Sequence, residues 1–277
     1  MSTLKAAFIG FMPRGISLDE QFDVLKEYAA IGYRGVEVGN FLLNGDVQEN
    51  RKRLEEIGLS PIDYSIRKPD VSDVPEIVKN ARAIGVDKAV SFMGCVGAYR
   101  FGGRELPPDY DEVMRELADY EAVAKELHKE GITLMFHNHD AEFKSYYNGK
   151  PAFIHMLENT EYLKFELDVG WVTYGGFDPV RVLKYTGDRL AAMHVKDFQR
   201  GNVAHPNEKK DPAKYVNPMP NFSMPGTGLL PLQDCLETAI QLGLDYAIVE
   251  QDFMNHLSQK ETLTGAFLNM KESGFVE

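Results

Sequence analysis

The chain repeats one local pattern, in which a helical segment is followed by a glycine, a short turn and an apolar run. The segments AIGYRGVEV (30–38), AIGVDKAV (83–90) and QLGLDYAIV (241–249) all follow it. Glycine is favoured after the last turn of a helix because it adopts the left-handed conformation without steric strain. We predict strands at eight apolar runs: Ala6–Ile9, Gly35–Val38, Ile62–Ser65, Lys88–Phe92, Thr133–Phe136, Lys164–Asp168, Ala191–Val195 and Tyr246–Val249. Such near-continuous apolar strands are typical of a parallel sheet that is buried on both faces.

Amphipathic segments of helical period lie between these strands. Ser17 to Glu20 has the sequence of a capping box, and the apolar face of a first helix follows it. Further helices are predicted at Val47–Ile57, Val74–Ile84, Tyr110–Glu130, Pro151–Glu158, Asp178–Tyr185, Pro231–Leu242 and Leu257–Lys271. Eight strand–helix units predict an α/β protein, a single (β/α)8 TIM barrel domain over residues 1–277. The alternative is an open doubly wound sheet, but no Gly-x-Gly-x-x-Gly follows the first strand, which argues against its dinucleotide-binding form.

The charge balance excludes several classes of partner. The chain has 42 acidic and 30 basic residues and a net charge of −12, so nucleic acid and anionic membrane surfaces are poor partners. The first apolar run is broken by Pro13 and Arg14, and no segment approaches the roughly 18 apolar residues of a membrane span. The two cysteines, Cys95 and Cys235, lie outside any metal or redox spacing. We therefore expect a cytoplasmic protein with a small-molecule ligand.

Polar residues follow several predicted strands at the point where each strand ends. They are Glu37 on the second strand, His137 to Glu142 on the fifth, Asp168 on the sixth, His194 to Asp197 on the seventh, and Glu250 to Asp252 on the eighth. In a barrel these ends converge on one mouth. Crowded carboxylates repel one another there, and a divalent cation such as Mn²⁺, Mg²⁺, Co²⁺ or Zn²⁺ removes that conflict. The alternatives are structural, with His194 as an interior histidine and Asp168 as a helix cap, but their joint placement favours the metal.

Four segments carry a resemblance to a known family: FHNHDAEF (136–143), LDVGWV (167–172), MHVKD (193–197) and VEQD (249–252). They resemble the sugar phosphate isomerase/epimerase family of xylose isomerase-like TIM barrels. The resemblance implies one divalent metal ion, with Mn²⁺ as the first choice, and metal ligands at Glu142, Asp168, His194 and Glu250. Many members have a glutamate where this chain has His137, so His137 is the alternative to Glu142. The resemblance also suggests a homo-oligomer.

The same resemblance implies how the site acts on a carbohydrate or cyclitol. Glu142 and Glu250 would be the catalytic pair, moving a proton next to a carbonyl through a metal-stabilised enediolate. The residues expected to bind substrate are His137, His139, Trp171 and Lys196, although Trp171 could instead pack under the next helix and Lys196 could form a salt bridge at the rim.

The predicted function is a metal-dependent isomerase or epimerase of a sugar, keto-sugar or inositol derivative. The alternative is a lyase on the same scaffold, either an inosose-type dehydratase or a 3-keto-glycoside eliminase. An abasic-site endonuclease and a non-enzymatic sugar-binding protein are less favoured, because the first needs a basic DNA face and the second needs no metal.

Overall fold

A computed structural model describes residues 3–203, 219–253 and 257–277. Its strands are β1 Lys5–Phe8, β2 Gly35–Val36, β3 Ser60–Pro61, β4 Tyr64–Ile66, β5 Lys88–Ser91, β6 Thr133–His137, β7 Tyr146–Tyr147, β8 Lys150–Pro151, β9 Lys164–Asp168, β10 Leu190–Val195, β11 Asp197–Val203, β12 Met219–Ser223 and β13 Tyr246–Val249. Its α-helices are α1 Leu18–Ile31, α2 Val47–Ile57, α3 Val74–Ile84, α4 Cys95–Arg100, α5 Tyr110–Lys129, α6 Ala141–Lys144, α7 Ala152–Glu158, α8 Val169–Tyr174, α9 Pro179–Thr186, α10 Leu232–Gln241 and α11 Gln259–Glu272.

Nine of the strands form one curled parallel sheet, in the order β3-β2-β1-β13-β10-β9-β6-β5-β4. The two outermost strands, β3 and β4, are consecutive in the chain and are separated only by Ile62 and Asp63. The sheet therefore curls until its two edges are the halves of one interrupted strand. This arrangement confirms the predicted α/β barrel, with helices outside the sheet.

The interruption falls within the predicted third strand, and its cause is local. Pro61 has no N–H to donate to a ladder, and the Asp63 side chain turns back to accept a hydrogen bond from Val38 N (3.0 Å). The backbone still links the two strands, because Ile62 N donates to Val36 O and Gly39 N donates to Asp63 O. The third strand of the barrel, which consists of β3 and β4, is thus bent and remains hydrogen-bonded to the neighbouring strand β2.

Helix ends follow the capping signals in the sequence. Ser17 and Glu20 form a capping box at the start of α1. Gly58 and Gly85 end α2 and α3 with φ angles of 84° and 88°, a conformation that side chains with a Cβ rarely adopt. Explicit caps at both ends explain why the predicted bounds of α2 agree with the structure.

The interior of the barrel has an apolar layer beneath a polar one. A cluster of buried side chains fills the lower layer: Ala7, Ile62, Val90, Met135, Ala192 and Ile248. Met135 and Ala192 each precede a buried histidine, His137 and His194, by two positions. Since alternate residues of a strand share a face, these histidines also point into the barrel, at the carboxyl ends of their strands. The sheet therefore collects polar groups at one end of an apolar core.

A two-stranded antiparallel hairpin of β11 and β12 follows β10, the seventh strand of the barrel. The Asp197 carboxylate anchors it by accepting hydrogen bonds from four backbone N–H groups, those of Phe198, Gly226, Gly228 and Leu230. This hairpin lies in the segment between β10 and α10, whose residues 204–218 lie outside the described ranges. Within those ranges, none of the helices combines the length and apolar character needed to cross a membrane.

Candidate metal centre

Four side chains from neighbouring strands of the barrel converge at the carboxyl ends of these strands. They are His137 from β6, Asp168 from β9, His194 from β10 and Glu250, which directly follows β13, and we call them the ligand group. One ligand atom of each lies within 4.8 Å of those of the others. The first three side chains are fully buried, whereas Glu250 keeps 17% of its side chain exposed. This convergence was expected for Asp168, His194 and Glu250.

Two atoms of the ligand group are buried without a hydrogen-bond partner, namely His137 Nε2 and Asp168 Oδ2. Asp168 Oδ2 lies 3.2 Å from Lys196 Nζ, but the orientation of the two groups makes no hydrogen bond. A buried polar atom that lacks a partner costs about 1–3 kcal/mol. Two imidazole nitrogens and two carboxylate oxygens form a donor set that suits a divalent transition ion. The residues present therefore fit a metal.

Asp168 has a structural role as well. Its Oδ1 accepts a hydrogen bond from Trp171 N (2.7 Å) and caps α8, while its Oδ2 lies in the ligand group. Asn138 Oδ1 accepts a hydrogen bond from Asp168 N and so fixes the end of β9. The two interpretations of Asp168 made from the sequence, cap and ligand, are thus compatible because each uses a different oxygen.

Lys196 lies against the ligand group and is buried. Its Nζ is 2.7 Å from Asp252, 3.0 Å from Glu250 and 3.2 Å from Asp168, and 4.7 Å from the centre of the Trp171 ring. Burial alone would lower the pKa of Lys196, but these carboxylates outweigh it and raise the pKa. The side chain is therefore a permanent ammonium, in contact with two members of the ligand group.

The two carboxylates of the ligand group have opposite pKa shifts. Burial raises the pKa of Asp168. Burial also acts to raise the pKa of Glu250, but Lys196 and His194 outweigh it and hold that pKa well below its usual range. His194 Nδ1 lies 2.8 Å from Glu250 Oε2. Glu250 is therefore ionised throughout the neutral range.

Glu142, the first ligand predicted from the family resemblance, is not a member of the ligand group. It lies in the short helix α6, where its Oε2 accepts a hydrogen bond from His139 N (2.8 Å), and burial raises its pKa to about 8. His137, the alternative ligand, takes the place in the ligand group. The predicted catalytic role of Glu142 stays a prediction.

The other predicted substrate-binding residues lie next to one another. The His139 ring is 5.0 Å from that of His137 and 5.6 Å from that of Trp171, centre to centre, and Lys196 lies over Trp171. His139 Nδ1 and Trp171 Nε1 are both buried without a hydrogen-bond partner. Trp171 is also fully enclosed and packs edge-on against Phe222, so it contributes to packing as well. Their contact with substrate stays a prediction.

The sequence reasoning missed Glu166, which lies behind the ligand group. Its Oε2 is 3.2 Å from His137 Nδ1 and 3.2 Å from His194 Nε2. Burial acts to raise the pKa of Glu166, but the two histidines outweigh it and lower the pKa to about 2. Glu166 precedes Asp168 by two residues and therefore shares its inward face. A glutamate on the inward face of an apolar strand was the available signal.

Taken together, the curled sheet and a buried histidine–carboxylate group at its carboxyl end define the class as a TIM barrel with a candidate metal centre. Residues 25–266 match the xylose isomerase-like TIM barrel family, and the chain belongs to that family. The resemblance noted from the sequence motifs is thereby confirmed.

Individual relatives are distant. The chain is 23% identical over 253 residues to an inosose dehydratase of Geobacillus kaustophilus, with 84% of this chain and 80% of that protein covered. The crystal structure of a sugar phosphate isomerase/epimerase from Parabacteroides distasonis is similar, with a TM-score of 0.70, 17% identity and coverage of 99% and 96% of the two chains. The structure of the IOLI protein with a bound zinc atom has a TM-score of 0.69, 12% identity and coverage of 98% of each chain. At such identities the structural likeness establishes the fold.

Proposed function

We propose that the protein is a divalent-metal-dependent enzyme that removes a proton next to a carbonyl group of a sugar, keto-sugar or cyclitol, as an isomerase or epimerase. The observation that carries the proposal is the ligand group, in which two buried ligand atoms make no hydrogen bond. The names of the relatives, a sugar phosphate isomerase/epimerase and an inosose dehydratase, support a carbohydrate or cyclitol substrate.

In this proposal His137, Asp168, His194 and Glu250 hold the ion, either Mn²⁺ or Zn²⁺. The zinc atom of the structurally similar IOLI protein supports an ion of this kind. When bound, a divalent ion would polarise a substrate carbonyl and make the neighbouring C–H bond more acidic.

The side chains of the protein itself move the proton. Glu250 is ionised and is the most accessible member of the ligand group, so we assign it the role of base. Lys196 Nζ, 3.0 Å from Glu250, can donate a hydrogen bond to a substrate oxygen beside the reacting carbon. Return of the proton to the adjacent carbon gives isomerisation, and return to the opposite face gives epimerisation. Glu142 holds a proton at neutral pH, as the acid partner would need to.

The relation to an inosose dehydratase favours a second candidate, a lyase on the same scaffold. A lyase would begin with the same proton removal and then expel a group from the next carbon, such as water or an aglycone. The two candidates therefore share Glu250 and differ in the fate of the leaving group.

One experiment separates them. The purified protein is analysed for bound metal, loaded with Mn²⁺, and incubated with keto-sugars and inososes in D₂O while NMR follows carbon-bound deuterium. An isomerase or epimerase incorporates deuterium without loss of water, whereas a lyase forms the dehydrated or cleaved product.

The Glu250→Gln variant should abolish deuterium exchange, with at least a 100-fold loss of rate, while it keeps the fold. Glu272→Gln, a substitution on the exposed face of α11, serves as the control and should not change the rate. Unchanged exchange in Glu250→Gln would refute the assignment of the base. A protein that binds sugar without metal and without exchange would instead be a carbohydrate-binding protein.

A further inference from the structure

Glu166 touches both histidines of the ligand group with a single oxygen atom. Its Oε2 lies 3.2 Å from His137 Nδ1 and 3.2 Å from His194 Nε2, and all three side chains have no exposed surface. The two imidazole rings are themselves close, with their centres 4.6 Å apart.

This contact determines which nitrogen of each ring is left for a ligand. A carboxylate only accepts hydrogen bonds, so each nitrogen that faces Glu166 must carry a hydrogen. The remaining nitrogens are His137 Nε2 and His194 Nδ1, which lie 3.8 Å and 2.8 Å from Glu250 Oε2. By the same rule His194 Nδ1 also carries a hydrogen beside Glu250, and a bound ion would take the place of that hydrogen. The two rings therefore present different nitrogens to the same site.

We propose that Glu166 is a positioning residue that holds the two histidines in opposite tautomers, His137 as Nδ1–H and His194 as Nε2–H. The inference rests on the proposed metal site, and it assigns His137 Nε2 and His194 Nδ1 as the ligand atoms. An outer carboxylate of this kind fixes the orientation of a ligating imidazole and makes it more basic. Here one carboxylate serves two rings, so its loss affects both ligands together.

A different interpretation would place a second cation between Glu37, Glu166 and His194, whose ligand atoms also lie within 4.8 Å of one another. Such an ion would have to bind His194 Nε2, the nitrogen that lies 2.6 Å from Glu37 Oε2 and 3.2 Å from Glu166 Oε2. A neutral imidazole has only one nitrogen without a hydrogen, so a ring that binds an ion through Nδ1 keeps a hydrogen on Nε2 and cannot bind a second ion there. Glu37 thus supports His194 alone, and Glu166 supports both histidines.

The test compares wild type with Glu166→Gln and with Asp63→Asn, each loaded with Zn²⁺. Asp63 is an equally buried acid that accepts a hydrogen bond from Val38 N, so its variant controls for the replacement of a buried carboxyl group by an amide. We expect zinc affinity to fall 10- to 100-fold in Glu166→Gln and to stay within about threefold in Asp63→Asn. Glu166→Asp, which keeps the charge, should recover part of the affinity. Circular dichroism checks that each variant is folded.

A second readout is the ¹⁵N NMR spectrum of the imidazole side chains. Zinc-loaded wild type should show His137 as Nδ1–H and His194 as Nε2–H, and Glu166→Gln should lose this single pattern. Unchanged affinity and tautomers in Glu166→Gln would overturn the inference and leave the proposed function intact. Two zinc ions per chain would overturn it as well, because Glu166 would then be a ligand. Failure of wild type to bind zinc or manganese would instead overturn the proposed function.

Discussion

The buried carboxyl group of Glu142 leads to a prediction of how the stability of the folded protein depends on pH. Only 2% of the residue is exposed, and burial raises its pKa from the ordinary value of 4.5 to about 8. The folded protein therefore keeps a proton that the unfolded chain releases between these two values. Stability is lost as pH rises across this window, because the unfolded state no longer binds the proton and the folded state still does. A glutamine side chain at this position does not ionise, so Glu142→Gln lacks this contribution to the pH dependence of stability.

The size of the effect follows from the same pKa values. The difference between 4.5 and about 8 corresponds to roughly 5 kcal/mol, of which about 3 kcal/mol falls between pH 5 and pH 8. The hydrogen bond from His139 N survives in Glu142→Gln, because the amide oxygen can accept it. The variant should therefore lose about 3 kcal/mol less stability than wild type between pH 5 and pH 8. For a chain of 277 residues that is about 5 °C in Tm.

Differential scanning calorimetry at pH 5 and pH 8 measures how much stability wild type and Glu142→Gln each lose between the two pH values. Glu76→Gln, at an exposed position on α3, controls for the loss of one surface charge. If wild type and Glu142→Gln lose the same stability between the two pH values, Glu142 is not neutral in the folded protein and the reasoning fails. The same variant tests the predicted catalytic role, since loss of deuterium exchange would place Glu142 in the reaction.

Two further substitutions test the contacts around the site. In Asp197→Asn, one amide oxygen replaces a carboxylate that accepts four backbone hydrogen bonds. We expect a loss of about 3 kcal/mol or more in stability, seen as a fall of about 5 °C or more in Tm. An unchanged Tm would show that the hairpin is anchored elsewhere. In Gly170→Ala, the new Cβ would overlap the backbone carbonyl of Lys196; we expect a loss of about 1–3 kcal/mol in stability and slower deuterium exchange, and wild-type values in both assays would contradict this packing.

The sequence predicted the elements that carry their own signals. Helices α2 and α3 begin and end where predicted, because periodicity and a terminal glycine act together at each C-terminus. The short helices α4, α6 and α8 were not predicted, since four to six residues are too few to establish a helical period. The division of the third barrel strand into β3 and β4 depends on the orientation of the Asp63 side chain, which only the packed structure determines.

Some residues of the candidate site could likewise be predicted from the sequence, and others could not. Asp168, His194 and Glu250 could be placed together from the sequence, because parallel strands end at the same edge of a sheet. The choice between His137 and Glu142 could not be made, since it depends on how a four-residue helix directs one carboxylate onto His139 N. Glu166 could not be recognised in the same way, because it lies two residues before the end of β9 and not at the strand end.

Lys196 has a consequence for the order in which the protein matures. Its ammonium group already neutralises part of the negative charge of Asp168, Glu250 and Asp252 without any added ion. This internal counterion would let the acidic mouth form during folding, so the newly made chain would not need a cation before it becomes compact. Uptake of the proposed ion would then be a late step, governed by which cations the surroundings supply.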